Sequence, residues 1–343
     1  MMMLDAQHVF TEGNIDIAYS WLCKQRANFP PNADIWHLRF HWHSQRQALL
    51  ESLHTHDYTL LPQSVVTKAD GSSIHLWSSC DALVLKMLAM ALADTLVLST
   101  NCTHVKGHGG LKATVNTLHS ALPDYTYVMK TDVKGYYASI DHTLLLKQLD
   151  EDIGNPFIYR LLAQFVKRSV EKGGTFKAVQ CGISRGCSLS PVIAAYYVNG
   201  LDKQMEADKR YFYRRYMDDI IVLAKTRWHL RCAIRTVNQH FNALKIEQAP
   251  DKKFIGRIEK QFDFLGYRFG LPHLAVAQKT ISNAVNMAIR LYEKKQTAPK
   301  RAVALDDYFI RWLRWVVAGI DDNSIKPFYV VGILTNQLYP SPL

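Results

Sequence analysis

Tyr216-Met217-Asp218-Asp219 lies between an aromatic, basic run, Tyr211-Phe212-Tyr213-Arg214-Arg215, and an apolar one, Ile220-Ile221-Val222-Leu223. Both flanks read as short strands, which sets the two aspartates at the tip of a hairpin. The tip lacks the Asn-Gly or Gly-Gly pair usual in tight hairpin turns. Adjacent carboxylates repel each other and gain little as a structural turn, so a bound cation is the natural reason for them. Hard divalent ions such as Mg²⁺ take a few carboxylate oxygens and fill the shell with water and substrate phosphate. A solvated Asp-Asp turn is the plainer alternative, and the rest of the chain decides.

The 343 residues are enough to bury a sizeable core, and 48% of them are apolar, which excludes a disordered chain. A formal charge of +11 favours a polyanionic partner, nucleic acid first and an acidic membrane surface second. Cys23, Cys80, Cys102, Cys181, Cys187 and Cys232 form no CxxC pair and no disulfide-like framework, which suits a reducing cytoplasm. Met1 to Asn14 carries acids and no long apolar core, so no signal peptide is read there. Ala82 to Leu98 is the one stretch that suggests a membrane span. Lys86 and Asp94 interrupt it, and a buried helix is the better reading.

In order, Asp5 to His54 reads as helical with a break at Phe29-Pro30-Pro31, its histidines forming a polar face rather than a zinc site. Tyr58 to Leu76 reads as a hairpin turning at Asp70-Gly71, with Lys68 and His75 as polar outliers. Lys106-Gly107-His108-Gly109-Gly110 with Lys112 is either a plain connection or a cradle for a nucleic-acid backbone. Tyr125 to Thr131 is a strand ending on Asp132, and Asp141 is the N-cap of a helix over Thr143 to Leu149. A helix is expected over Asn155 to Val170, then a turn at Gly173-Gly174. Gly182 to Pro191 is a glycine- and serine-rich turn into a helix from Val192 to about Asp208, with Arg185 able to pair with phosphate. Trp228 to Leu244 is helical, Lys252-Lys253 lies in a basic loop, and Phe262 to Phe269 forms two short strands around Gly266. In the tail, Ile281, Val285, Ile289 and Tyr292 share a helical stripe beside Lys279, Arg290, Lys294 and Lys295. Thr297 to Arg301 reads as a linker before a helix over Leu305 to Val317.

Taken together these pieces resemble a bacterial reverse transcriptase. Asp132 followed five residues later by the aromatic Tyr137 looks like the family's first catalytic motif. Gly182 to Pro191 looks like the template- and nucleotide-positioning motif, which group II intron relatives write Gly-x-Pro-Gln-Gly-x-x-x-Ser-Pro. Tyr216 to Asp219 matches the Tyr-x-Asp-Asp hairpin, Lys252-Lys253 stands at the lysine-bearing motif, and Phe262 to Tyr267 looks like the primer-grip hairpin. The order and spacing of five motifs make the resemblance specific.

The resemblance implies an α+β right-hand polymerase fold: N-terminal helices and fingers over 1–124, a palm over 125–270 with interleaved fingers helices (142–180), and a helical thumb and tail over 271–343. It implies RNA-directed DNA synthesis with two Mg²⁺ ions, or Mn²⁺ in their place, held by Asp132, Asp218, Asp219 and the Val133 carbonyl. Tyr137 would lie under the sugar of the nucleotide and select deoxynucleotides. Arg185, Gly186, Lys68 and His75 would meet the nucleotide, and one of Lys252 and Lys253 the pyrophosphate. Ser190, Pro191, Tyr216, Met217, Phe264, Leu265, Gly266, Lys106 and Lys112 would line template and primer. Arg185 and Ser184 depart from the family's Gln and Pro.

The partners implied are an RNA template, a DNA primer and product, and dNTPs, with no membrane; an accessory protein or a second copy is left open. The chain resembles group II intron-like, diversity-generating-retroelement-like and defence-associated unassigned enzymes. The diversity-generating ones typically end the middle motif in Ser-Gln where this chain has Ser190-Pro191. Elimination thus leaves a compact group II-like or unassigned bacterial enzyme, classes of which several members act in anti-phage defence with a noncoding RNA, in a defence or retroelement context. The alternatives are DNA synthesis without a template or on a short repeat, an RNA-synthesising palm polymerase, and an idle RNA-binding maturase-like scaffold.

Overall fold

Residues 79–95, SCDALVLKMLAMALADT, are so apolar that a helix made from them needs burial on most sides. In the computed structural model, which describes residues 4–67, 71–293 and 297–319, they form one helix whose N-cap Ser78 hydroxyl accepts the Asp81 N–H. Leu83, Val84, Leu85, Met87 and Leu88 are fully buried, while the Lys86 ammonium lies 5.3 Å from the Trp21 ring centre. Buried Asp81 accepts from the Tyr58 and Ser78 hydroxyls at 2.8 and 2.7 Å. Among the described residues no helix is long and apolar enough to cross a membrane.

The elements in chain order are α1 (Ala6–Val9), α2 (Glu12–Gln25), α3 (Asp34–Phe40), α4 (Trp42–His54), β1 (Gln63–Thr67), β2 (Ser73–Leu76), α5 (Ser79–Thr95) and α6 (Gly110–Ala121). There follow β3 (Tyr127–Thr131), α7 (Tyr136–Ser139), α8 (His142–Asp152), α9 (Pro156–Val166), β4 (Ser169–Lys172), β5 (Thr175–Ala178), α10 (Ser190–Tyr197) and α11 (Asn199–Ala207). The remainder is β6 (Tyr211–Tyr216), β7 (Asp219–Ala224), α12 (Arg227–Ala243), β8 (Phe254–Arg257), β9 (Phe262–Phe264), β10 (Tyr267–Phe269), β11 (Leu274–Val276), α13 (Gln278–Glu293) and α14 (Ala298–Gly319). The class is α+β. The chain gathers into two units of three stretches each. One takes Met1–Ser99, Val133–Lys203 and Asn238–Gln248; the other takes Thr100–Asp132, Gln204–Val237 and Ala249–Leu343.

In the first unit a sheet runs β2-β1-β4-β5, with β1 antiparallel to β2 and parallel to β4. The helix expected through Val170 therefore stops at Val166: from Ser169 the chain pairs with β1 and turns back at Gly173-Gly174 as β5. Asp141 caps α8 as expected, accepting the Leu144 N–H at 3.0 Å. The single helix expected over 192–208 is two, with a break at Val198 and Pro191 in the first turn.

In the second unit one sheet runs β6-β7-β3-β8, antiparallel throughout, and another β11-β10-β9. Helix α6, absent from the sequence reading, follows Gly109, whose left-handed conformation starts it. It buries Val115 and Leu118 with Val128, Leu223, Phe262 and Phe269 in one core. In the tail, α13 turns Ala284 and Ala288 inward; of the stripe read there, Ile281 and Val285 are half-buried while Ile289 and Tyr292 are exposed. Helix α14 begins at Ala298, inside the expected linker. Lys68, Asp70, Lys294 and Lys295 lie outside the described residues.

Candidate active site

Alternating burial along β6 turns Tyr211, Tyr213 and Arg215 to one side, and β7 is apolar from Ile220 to Ala224. Their hairpin closes on the pair Tyr216↔Asp219, leaving Met217 and Asp218 as a two-residue turn. Met217 has φ +54°, a position where two-residue hairpins usually place glycine. On the other side of β7, β3 ends with the pair Thr131↔Ile220. One residue further, the antiparallel register carries Asp132 beside Asp219.

Three carboxylates from points 86 positions apart (218 − 132) thus share one end of the sheet. Their fields show the crowding. Burial, then Asp132 and Asp218, push the Asp219 carboxyl up to about 6, and burial with Asp132 raises Asp218 as well. Asp132 is 4% exposed, and its Oδ1 is buried without a hydrogen-bond partner among the described residues. Its Oδ2 accepts from Lys252 Nζ at 2.5 Å, which holds the lysine's pKa above the usual range. Both lysines are exposed, and of the two it is Lys252 that is seen paired with a carboxylate, that of Asp132.

In the first unit, Gly182 to Ser190 forms a loop propped from behind. The Gly182 carbonyl receives Arg168 at 2.8 Å and faces the His142 ring at 2.7 Å. Gln63, fully buried, joins Arg168 to the Ser184 hydroxyl, which it reaches at 2.7 Å. Gly182 has φ +81°, and a Cβ there would stand 2.7 Å from the Tyr137 carbonyl oxygen and from Ala138 Cα. Ile183 N–H donates to that same carbonyl at 2.7 Å, so half-buried Tyr137 is fixed through its backbone. His75 and Arg185, both exposed, line one cleft of about 630 Å³ with Arg168 and Gly182 to Gly186. Val133 bridges to Gln248.

Residues 66–269, more than half of the chain, match the model of the family described as reverse transcriptase (RNA-dependent DNA polymerase). The chain belongs to the reverse transcriptase family. No curated protein matches it. As a reverse transcriptase it is an RNA-directed DNA polymerase, a nucleotidyltransferase that works in general from an RNA template, a DNA primer and dNTPs.

Within this reverse transcriptase, two residues read as strand contacts sit elsewhere. Ser190 is buried and its hydroxyl donates to the Ser184 carbonyl at 2.5 Å, closing the loop from inside. Phe264 is buried in the core of its unit, because alternation on β9 turns it and Phe262 inward. Leu265 and Gly266, at φ +47° and +85°, form the tip of the β9–β10 turn. Lys106, Lys112 and Gly186 are exposed; Tyr216, Met217 and Pro191 are half-buried. The sequence reading missed Gln63, Arg168 and His142, whose partners lie far along the chain.

The reverse transcriptase fold implies divalent metal at the carboxylates, and two observations fit it: the orphaned Asp132 Oδ1 and the upward pKa shifts of Asp218 and Asp219. Among the described residues no group of three or more His, Cys, Asp or Glu side chains stands as it is so as to hold a metal ion. Lys252 holds one edge of the site.

Proposed function

We propose that Asp132, Asp218 and Asp219 are the catalytic carboxylates of cDNA synthesis on an RNA template. The observation that carries this is the buried, unpartnered Asp132 Oδ1 beside two carboxylates whose ionised forms burial and repulsion disfavour. Such a cluster calls for positive charge. With the Val133 carbonyl, these residues would hold two Mg²⁺ ions, which when bound supply Lewis-acid activation of the primer hydroxyl and charge stabilisation at the triphosphate.

The chain's own groups do the rest. Lys252 carries a proton on Nζ at the edge of the cluster and is the donor to the departing pyrophosphate. Arg185 and His75 line a cleft open to a triphosphate. Tyr137, held by Gly182 and Ile183, selects against a 2′-hydroxyl, and the Leu265-Gly266 turn guides the primer strand. The surplus of basic residues supplies the field for a nucleic-acid duplex, with a dedicated noncoding RNA of a defence system or retroelement as template.

The test is primer extension on an RNA template with dNTPs and Mg²⁺. Incorporation is expected in the wild type, its loss in Asp218→Ala, Asp219→Ala, and relaxed rNTP use in Tyr137→Ala. An inactive wild type, or full activity in the doubly substituted protein, refutes the assignment.

A further inference from the structure

Met217 carries the catalytic turn in a left-handed conformation that side chains with a Cβ seldom adopt. Both polar atoms of its backbone are held from outside the hairpin tip. The Met217 N–H donates to His104 Nδ1 at 3.0 Å, and the Met217 carbonyl accepts from Arg215 Nη1 at 2.9 Å. Arg215 is 1% exposed and lies two residues back on β6. His104 comes from a separate segment.

That segment, Asn101 to Gly110, is itself fixed. Arg215 N–H donates to the Asn101 carbonyl, and Thr103 N–H donates to the Arg215 carbonyl, both at 2.9 Å, so the chain runs as a short parallel bridge along β6. On its other side Gly110 N–H reaches the Thr103 carbonyl at 2.9 Å, and Thr114 Oγ1 on α6 reaches Thr103 Oγ1 at 2.6 Å. His104 is thereby built into a braced loop, with its ring 6.0 Å from that of Tyr216 in an edge-on arrangement.

We propose that His104 is a positioning residue for catalysis: its unprotonated Nδ1 holds the Met217 amide, locks the turn in its left-handed form, and so aims Asp218 and Asp219 at Asp132. This rests on the reading of those aspartates as catalytic. A backbone held in a sparsely populated region persists only where its surroundings over-determine it. Here the two restraints are one side chain on the N–H and one on the carbonyl. A misplacement of about 1 Å in such a constellation costs on the order of 100-fold in rate.

The experiment compares His104→Phe, similar in shape but without an acceptor, with His104→Asn, whose Oδ1 falls near the place of Nδ1. Each is made in wild-type and Met217→Gly backgrounds, because glycine adopts the left-handed form without strain. Single-nucleotide incorporation should fall about 10- to 100-fold in kcat for His104→Phe, with the KM for dNTP little changed, and recover largely in His104→Asn. In the Met217→Gly background His104→Phe should cost less than about threefold. Amide hydrogen exchange gives a second readout that does not need turnover: Met217 N–H should lose protection in His104→Phe and keep it in His104→Asn. The proposal is overturned by unchanged kcat in His104→Phe, by equal damage from Phe and Asn, or by unchanged Met217 protection. An inactive wild type would sink the catalytic reading, while the exchange data would still decide whether His104 holds the turn.

Discussion

Replacing Asp219 with asparagine should make the metal-free protein more stable at pH 8 and leave it unchanged near pH 4. The Asp219 carboxyl binds its proton up to about 6, against an ordinary value of 3.8, because it is buried and faces Asp132 and Asp218. The folded chain therefore holds this proton more tightly than the unfolded chain does. Its stabilising effect is complete below the unfolded value and is lost as pH rises through about 6. Roughly two units at 1.36 kcal/mol each set a ceiling of about 3 kcal/mol, and relaxation of the turn lowers it to about 2 kcal/mol. Asparagine keeps the shape and removes the charge. Urea unfolding of both proteins in EDTA at pH 8 and pH 4 measures the difference directly. Adding Mn²⁺ at pH 8 should then stabilise the wild type more than the variant. An asparagine variant that is no more stable at pH 8, or whose advantage is the same at both pH values, refutes the electrostatic reasoning.

Two other substitutions probe separate parts of the molecule. Gly182→Ala sets a Cβ against the backbone of Tyr137 and Ala138 at 2.7 Å and forces a positive φ on a residue that resists it, so stability should drop by about 2–4 kcal/mol in urea unfolding; an unchanged midpoint contradicts the close approach. Lys252→Met removes the cation on Asp132 and should tighten Mn²⁺ binding several-fold while lowering turnover about 10- to 100-fold; Lys253→Met should change each by less than about threefold, and equal effects of the two would dissolve the distinction between them.

What the sequence shows of this fold follows the range of the interactions involved. The β6–β7 hairpin and the Asp141 cap are local: alternation, a turn, and a side chain reaching three residues ahead. The strand β4 was hidden because Ser169 to Lys172 continues a helical pattern, and only its partners on β1, 107 positions earlier in the chain (170 − 63), make it a strand. Helix α6 was hidden behind Gly109-Gly110, read as flexible, although the left-handed Gly109 is what lets the helix start. Its buried Val115 and Leu118 became meaningful only against Val128 and Leu223.

The same division runs through the site. The carboxylates were legible because two of them are neighbours and the third ends a strand. The groups that contact them or their turn were not. Lys252 reaches Asp132 across 120 positions, and His104 reaches Met217 across 113. Formal charge shows why such partners are needed: against three carboxylates, Lys252 pairs with Asp132, while Lys130, which favours ionised Asp219, donates instead to the Asp263 carbonyl at 2.6 Å. With Asp132 Oδ1 also unpartnered, the cluster keeps an unmet demand for positive charge. A fold retains that kind of local instability where the missing charge arrives with the substrate. On the proposed reading, that is a triphosphate arriving with its metal.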